Sequence, residues 1–153
     1  MADLVFMDGS WAGAGVSPVH GKGTGKLEFV PQPDGKALYR TNSVDYADGF
    51  KHRDWTRIAT NPKTQRLEAD YQDNEGFAIH YNHVSTSQNA AVFESDATPT
   101  APAFRFTYRT PTPTELQTTF ELLSKDHWVK VAAGTSEKTG GPEHSPPTPT
   151  GQA

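Results

Sequence analysis

The sequence predicts an all-β protein, an antiparallel up-and-down barrel of about ten short strands. Three observations carry this. Apolar and polar residues alternate with period two, the mark of strands with one buried and one wet face. Turn-forming Gly, Pro, Asn and Asp recur at short intervals between those runs. No long crossover segment separates them, so consecutive strands pair directly. A flat meander would expose two edges and an apolar face, and closure removes both. A two-sheet sandwich is the alternative closure.

Taken in order, Asp3 to Met7 reads as a helical turn, and a strand over 11–17 begins at Trp11. Gly21-Lys22-Gly23-Thr24-Gly25-Lys26 reads as a flexible turn into a strand over 22–31. It lacks phosphate-loop spacing, and no helix follows to aim amides at a phosphate. Pro33-Asp34-Gly35 and Ala47-Asp48-Gly49 bound strands at 36–46 and 50–60. After Asn61-Pro62-Lys63, Leu67, Ala69 and Tyr71 alternate with polar residues in a strand over 65–72. Asp73-Asn74-Glu75-Gly76 turns the chain into 76–84, and 89–95 follows. Beyond Pro99 to Pro102, Phe104, Phe106 and Tyr108 alternate with Arg105, Thr107 and Arg109 in 103–110. Leu116, Thr118, Phe120 and Leu122 share one face of 114–123. Val129, Val131 and Ala133 do so in 127–136. The barrel domain is thus expected over 1–136. The Pro/Gly/Thr-rich stretch 137–153 has no large apolar residue and is expected to be a disordered tail.

Composition narrows the function. Across 153 residues the formal net charge is -4, with no clustered Lys and Arg, so nucleic acid is not an expected partner. No apolar run is long enough for a membrane-spanning helix. There is no cysteine, which removes disulfides, zinc–thiolate sites and cysteine nucleophiles. The start Met-Ala-Asp-Leu lacks a secretory pattern, so a cytoplasmic monomer or homodimer is expected. No Gly-x-Ser-x-Gly elbow is present, and catalysis is left open.

Phe6-Met7-Asp8-Gly9-Ser10-Trp11-Ala12-Gly13-Ala14-Gly15 resembles the Gly-x-Trp-x-Gly-x-Gly opening of calycin-type barrels, the group of lipocalins, fatty-acid-binding proteins and nitrobindins. Phe50-Lys51-His52-Arg53-Asp54 and the run from Tyr71 to Tyr81 are similar to segments of a small bacterial calycin-like family of unknown function. The resemblance spans roughly residues 6–138 and implies a barrel around a small-molecule pocket. Its nitrobindin branch implies haem as a possible cofactor, with His127 as the candidate ligand by strand parity with Val129 and Val131.

The candidate binding residues are Trp11, His52, Asp54, Tyr71, His80, Tyr81, Tyr108 and His127. Trp11 is the expected barrel plug. His52 and Asp54 are two apart and share a face, so the carboxylate can fix the imidazole tautomer for acid–base work. Tyr71, Tyr81 and Tyr108 fall on the expected inner faces and offer apolar rings with polar tips. His52, Asp54 and His80 are ligand types for a metal, but their spacing does not force convergence, and no metal site is assigned. Arg105 and Arg109 are expected outside, while Arg40 and Arg57 remain candidate inward cations. The leading expectation is binding of a small, partly apolar ligand in the barrel. The alternatives are a haem-binding barrel and a small enzyme using the His52/Asp54 pair.

Overall fold

In the computed structural model, which describes residues 2–140, the chain forms one closed barrel. A short 3-10 helix, Ala2–Met7, precedes ten strands. These are β1 (Gly9–Ser17), β2 (Gly21–Pro31), β3 (Ala37–Tyr46), β4 (Lys51–Thr60) and β5 (Leu67–Asp73). There follow β6 (Ala78–Thr86), β7 (Ala90–Glu94), β8 (Phe104–Thr112), β9 (Glu115–Ser124) and β10 (His127–Gly140). Each strand pairs antiparallel with its sequence neighbours, and β1 pairs with β10 to close the ring. Among the described residues no helix is long and apolar enough to cross a membrane.

The last strand is longer than its alternation suggests. Glu137, Lys138 and Gly140 pair with Ala12, Trp11 and Ser10, so residues 137–140 belong to the barrel and not to the tail. Their polarity hid this, because at this end β10 faces largely to solvent. The rest of the expected tail lies outside the described residues.

One end of the barrel is filled. Trp11 is fully buried and donates from Nε1 to the Met7 carbonyl at 2.9 Å. Leu4 and Met7 of the 3-10 helix, Phe29, Leu38, Ile58, Phe93 and Leu116 join it in a continuous core. Side chains of this size each contribute about 1.5–3 kcal/mol on full burial. The helix therefore serves as a lid, and Trp11 is the plug that the opening motif implies.

The other end is open, and glycine is the reason. Gly13 faces Gly25, and Gly15 faces both Gly23 and Gly134 across the β2–β1–β10 seam. A Cβ on Gly13 would lie 2.0 Å from the Thr135 carbonyl oxygen and 2.6 Å from the Ser136 Cα. Only glycine permits that approach, which lets β1 bend tightly against β10. Gly21–Lys26 is consequently the first half of β2 and not a flexible turn. Its glycines carry no side chain into the lumen where Leu27 and Phe29, lower on the strand, fill it.

Candidate functional site

Above the core lies a cavity of about 650 Å³ that opens between the loops opposite Trp11. This is within the range of roughly 300–1,000 Å³ typical of small-molecule pockets. Its wall is two-sided. β1, β2, β8, β9 and β10 contribute glycines with Leu27, Phe104, Phe106, Phe120 and Val131. β3, β4, β5 and the β5–β6 turn contribute Arg40, Asn42, His52, Asp54, Tyr71, Asp73 and Glu75. The period-two pattern puts the polar set inside. Arg40 and Asn42 alternate with outward Tyr39 and Thr41, and His52 and Asp54 alternate with Arg53 and Trp55.

A polar relay runs down this wall. At the base, Arg40 Nη1 donates to the Tyr108 hydroxyl at 2.7 Å, and Arg40 Nη2 donates to Asp54 Oδ1. Asn42 donates to Asp54 Oδ2 at 2.9 Å, and His52 Nε2 meets the same oxygen at 2.6 Å. His52 Nδ1 faces Glu75 Oε2 at 3.1 Å at the mouth. The guanidinium also lies over the Phe106 ring, 5.3 Å from its centre. Two buried polar atoms here, Arg40 Nε and Thr56 Oγ1, have no hydrogen-bond partner.

The β5–β6 turn is fixed over His52 by specific bonds. Asp73 Oδ1 accepts from the Glu75 and Phe77 amides at 2.9 and 3.0 Å, and Gly76 takes the left-handed φ of 93°. Asn74 ties the turn back to β4, donating to the Lys51 carbonyl at 2.7 Å and accepting from the Arg53 amide at 3.0 Å. The Tyr71 hydroxyl donates to Asp73 Oδ2 at 2.7 Å.

Two tyrosines of the lumen are held neutral. Burial, then the hydrogen bond and charge of Asp73, push Tyr71 far above the ordinary tyrosine range, with Arg40 opposing. Burial, then Tyr108, does the same to Tyr81. At the rim, burial and then Glu75 and Asp48 raise Tyr46. The Phe50 amide and then His20 lower Asp48. His20 stacks on Phe50 with ring centres 4.1 Å apart, and both line the mouth of the cavity.

Of the expected residues, His52, Asp54, Tyr71 and Tyr81 line the cavity together, Tyr108 lies at its base, and Trp11 closes the far end. Two sit elsewhere. His80 points outward, 49% exposed, against Asp70 at 2.6 Å, because it alternates with the inward Ile79 and Tyr81. A set joining it to His52 and Asp54 therefore does not form. His127 is exposed beside the β9–β10 turn and is not among the lining residues, although its parity suggested an inward position. Arg40 is the inward cation. Arg57 is exposed, as is Arg109, and Arg105 pairs with Glu121 at 2.9 Å under the Trp128 ring. Asn42, Asp73 and Glu75 were not anticipated. The parity of Tyr71 and Asp73 was the available signal, masked because Asp-Asn-Glu-Gly reads as turn chemistry alone.

No protein-family model and no curated protein matches the chain. Among solved structures, it is similar to a de novo designed fluorescence-activating β-barrel, with a TM-score of 0.50 and 14% identity over 91% of this chain and 100% of that one. A redesigned β-barrel bound to DFHBI has a TM-score of 0.49 and 12% identity, covering 87% of this chain and 99% of that one. The first likeness is one of fold.

Proposed function

We propose that the barrel binds a small, partly apolar molecule in its open half, in the manner of the calycin-type barrels its opening motif resembles. The observation that carries this is the cavity of about 650 Å³ with an apolar, glycine-rich wall facing a polar one. Such a lumen suits a flat molecule with one hydrophobic face and polar groups along one edge.

The charges narrow the class. Among the described residues, three carboxylates, Asp54, Asp73 and Glu75, line the lumen against the single guanidinium of Arg40, and Asp54 already neutralises that cation. A fatty-acid-like carboxylate therefore finds no free cation at the base. A neutral or cationic ligand with hydrogen-bond donors fits the carboxylate wall.

Native mass spectrometry tests this on wild-type protein and on Ala132→Trp, which places an indole in the lumen. Both are run as purified and after incubation with a metabolite extract. A bound small molecule on wild type alone is expected. Bare chains in every sample would overturn the proposal.

A second reading rests on His52, whose ring nitrogens face Asp54 and Glu75 at the cavity wall. That is the arrangement of an acid–base group acting on a lumen-bound substrate. It predicts turnover of the captured ligand by wild type and none by His52→Gln.

A further inference from the structure

We infer that His52, Asp73 and Glu75 form a binding site for one divalent first-row metal ion at the mouth of the barrel. Their ligand atoms all lie within 4.8 Å of one another. The inference does not rest on an organic molecule occupying the lumen.

His52 is held between two carboxylates. Its Nε2 sits 2.6 Å from Asp54 Oδ2, and the Asp54 side chain is only 3% exposed. Carboxylates hold metal-binding histidines from behind in the same way, on the ring nitrogen away from the ion. The other ring nitrogen, Nδ1, points at the Glu75 carboxylate from 3.1 Å. Ligand atoms each about 2.0–2.2 Å from one ion stand about 3.0–3.5 Å apart, which brackets this distance.

The second carboxylate is oriented in the same way. The Tyr71 hydroxyl donates to Asp73 Oδ2 at 2.7 Å. Asn74 anchors the turn, so Glu75 is held over His52 instead of swinging free. One imidazole and two carboxylates suit Zn²⁺, Mn²⁺, Fe²⁺ or Co²⁺ and are too nitrogen-rich for a dedicated Mg²⁺ or Ca²⁺ site. All three residues line the cavity, so the ion keeps open positions facing the lumen. The outer-face group of His80 with Asp70 and Glu68 is the internal control. It has the same residue types, is half exposed, and lies on the opposite face of the sheet.

The full chain, dialysed against chelator, is titrated with Co²⁺ by visible absorption and with Zn²⁺ by calorimetry. One saturating equivalent per chain is expected, with a Co²⁺ d–d band that Zn²⁺ displaces. Glu75→Gln, on an exposed turn and checked for folding by circular dichroism, should weaken binding at least tenfold. His52→Ala should remove the band, and His80→Ala should leave both signals unchanged. Absence of saturable one-equivalent binding would overturn the site, as would full affinity in Glu75→Gln or loss of binding in His80→Ala.

Discussion

Arg40 and Asp54 form an ion pair at the base of the lumen, with side chains 2% and 3% exposed. Neither can reach water, so each is the other's compensation for lost solvation. Removing one partner strands a buried charge. Asp54→Ala is expected to lower unfolding free energy by about 3–5 kcal/mol in urea titrations. Arg40→Met combined with Asp54→Leu should recover most of that loss. A double variant that simply sums the two single losses would show that the pair is not the dominant coupling.

The Trp11 plug makes a second prediction. Trp11→Ala opens a cavity in the most tightly closed part of the core and should cost about 3–5 kcal/mol. Trp11→Phe keeps most of the apolar surface but abandons the Met7 carbonyl, which the indole caps at 2.9 Å. It should cost less than the alanine. Chemical denaturation of both variants checks the order.

The glycine seam makes a third. A side chain at Gly13 collides with β10 backbone, whereas a Cβ on Gly140 would meet only the Ser10 Cβ at 3.9 Å. Gly13→Ala should therefore destabilise by at least the roughly 1–3 kcal/mol typical of overpacking, and Gly140→Ala should be nearly neutral. Equal melting temperatures for the two variants would contradict the seam.

Alkaline pH provides a fourth. Tyr71 and Tyr81 have folded-state pKa values raised well above the ordinary 10.0. The unfolded chain releases these protons first, so their stabilisation is complete below pH 10 and is lost as pH rises beyond it. Stability should fall above pH 10, and the fall should be shallower in Tyr71→Phe. Tyrosinate absorbance followed alongside circular dichroism should show these two phenols ionising only with unfolding.

Much of the fold was legible because a closed meander repeats one rule. Strands such as β5 and β8 alternate apolar and polar residues in the sequence, and Asp-Gly or Asn-Pro turns follow β2, β3 and β4. The inward positions of Tyr71, Tyr81 and Tyr108 follow from parity, whereas for His52 and Asp54 parity gives a shared face without saying which side of the sheet it is. The misplacements have physical causes. His127 keeps the parity of Val129, whose partner Leu122 is in phase with the inward Phe120, but it is the first residue of β10, beside the β9–β10 turn, and is exposed there. His80 was grouped with His52 by residue type, although its own alternation put it outside. The pairing of Glu75 with His52 spans 23 residues and depends on Asn74 docking a turn onto β4, which no local pattern encodes. The glycines of β2 looked like a turn because the sequence does not reveal that other glycines lie across from them.

The central claim is that the open half of the barrel takes a small molecule. Amide correlation spectra recorded while the full chain is titrated with Nile red, a neutral apolar dye, test it most directly. Saturable shifts confined to Gly13, Gly15, Gly25, Gly134 and the neighbouring lumen residues are predicted, and they should vanish in Ala132→Trp. The anionic probe anilinonaphthalene sulfonate should bind more weakly, given the carboxylate-lined mouth. Shifts on the outer face around Tyr39 and Trp55, or none at all, would contradict the account.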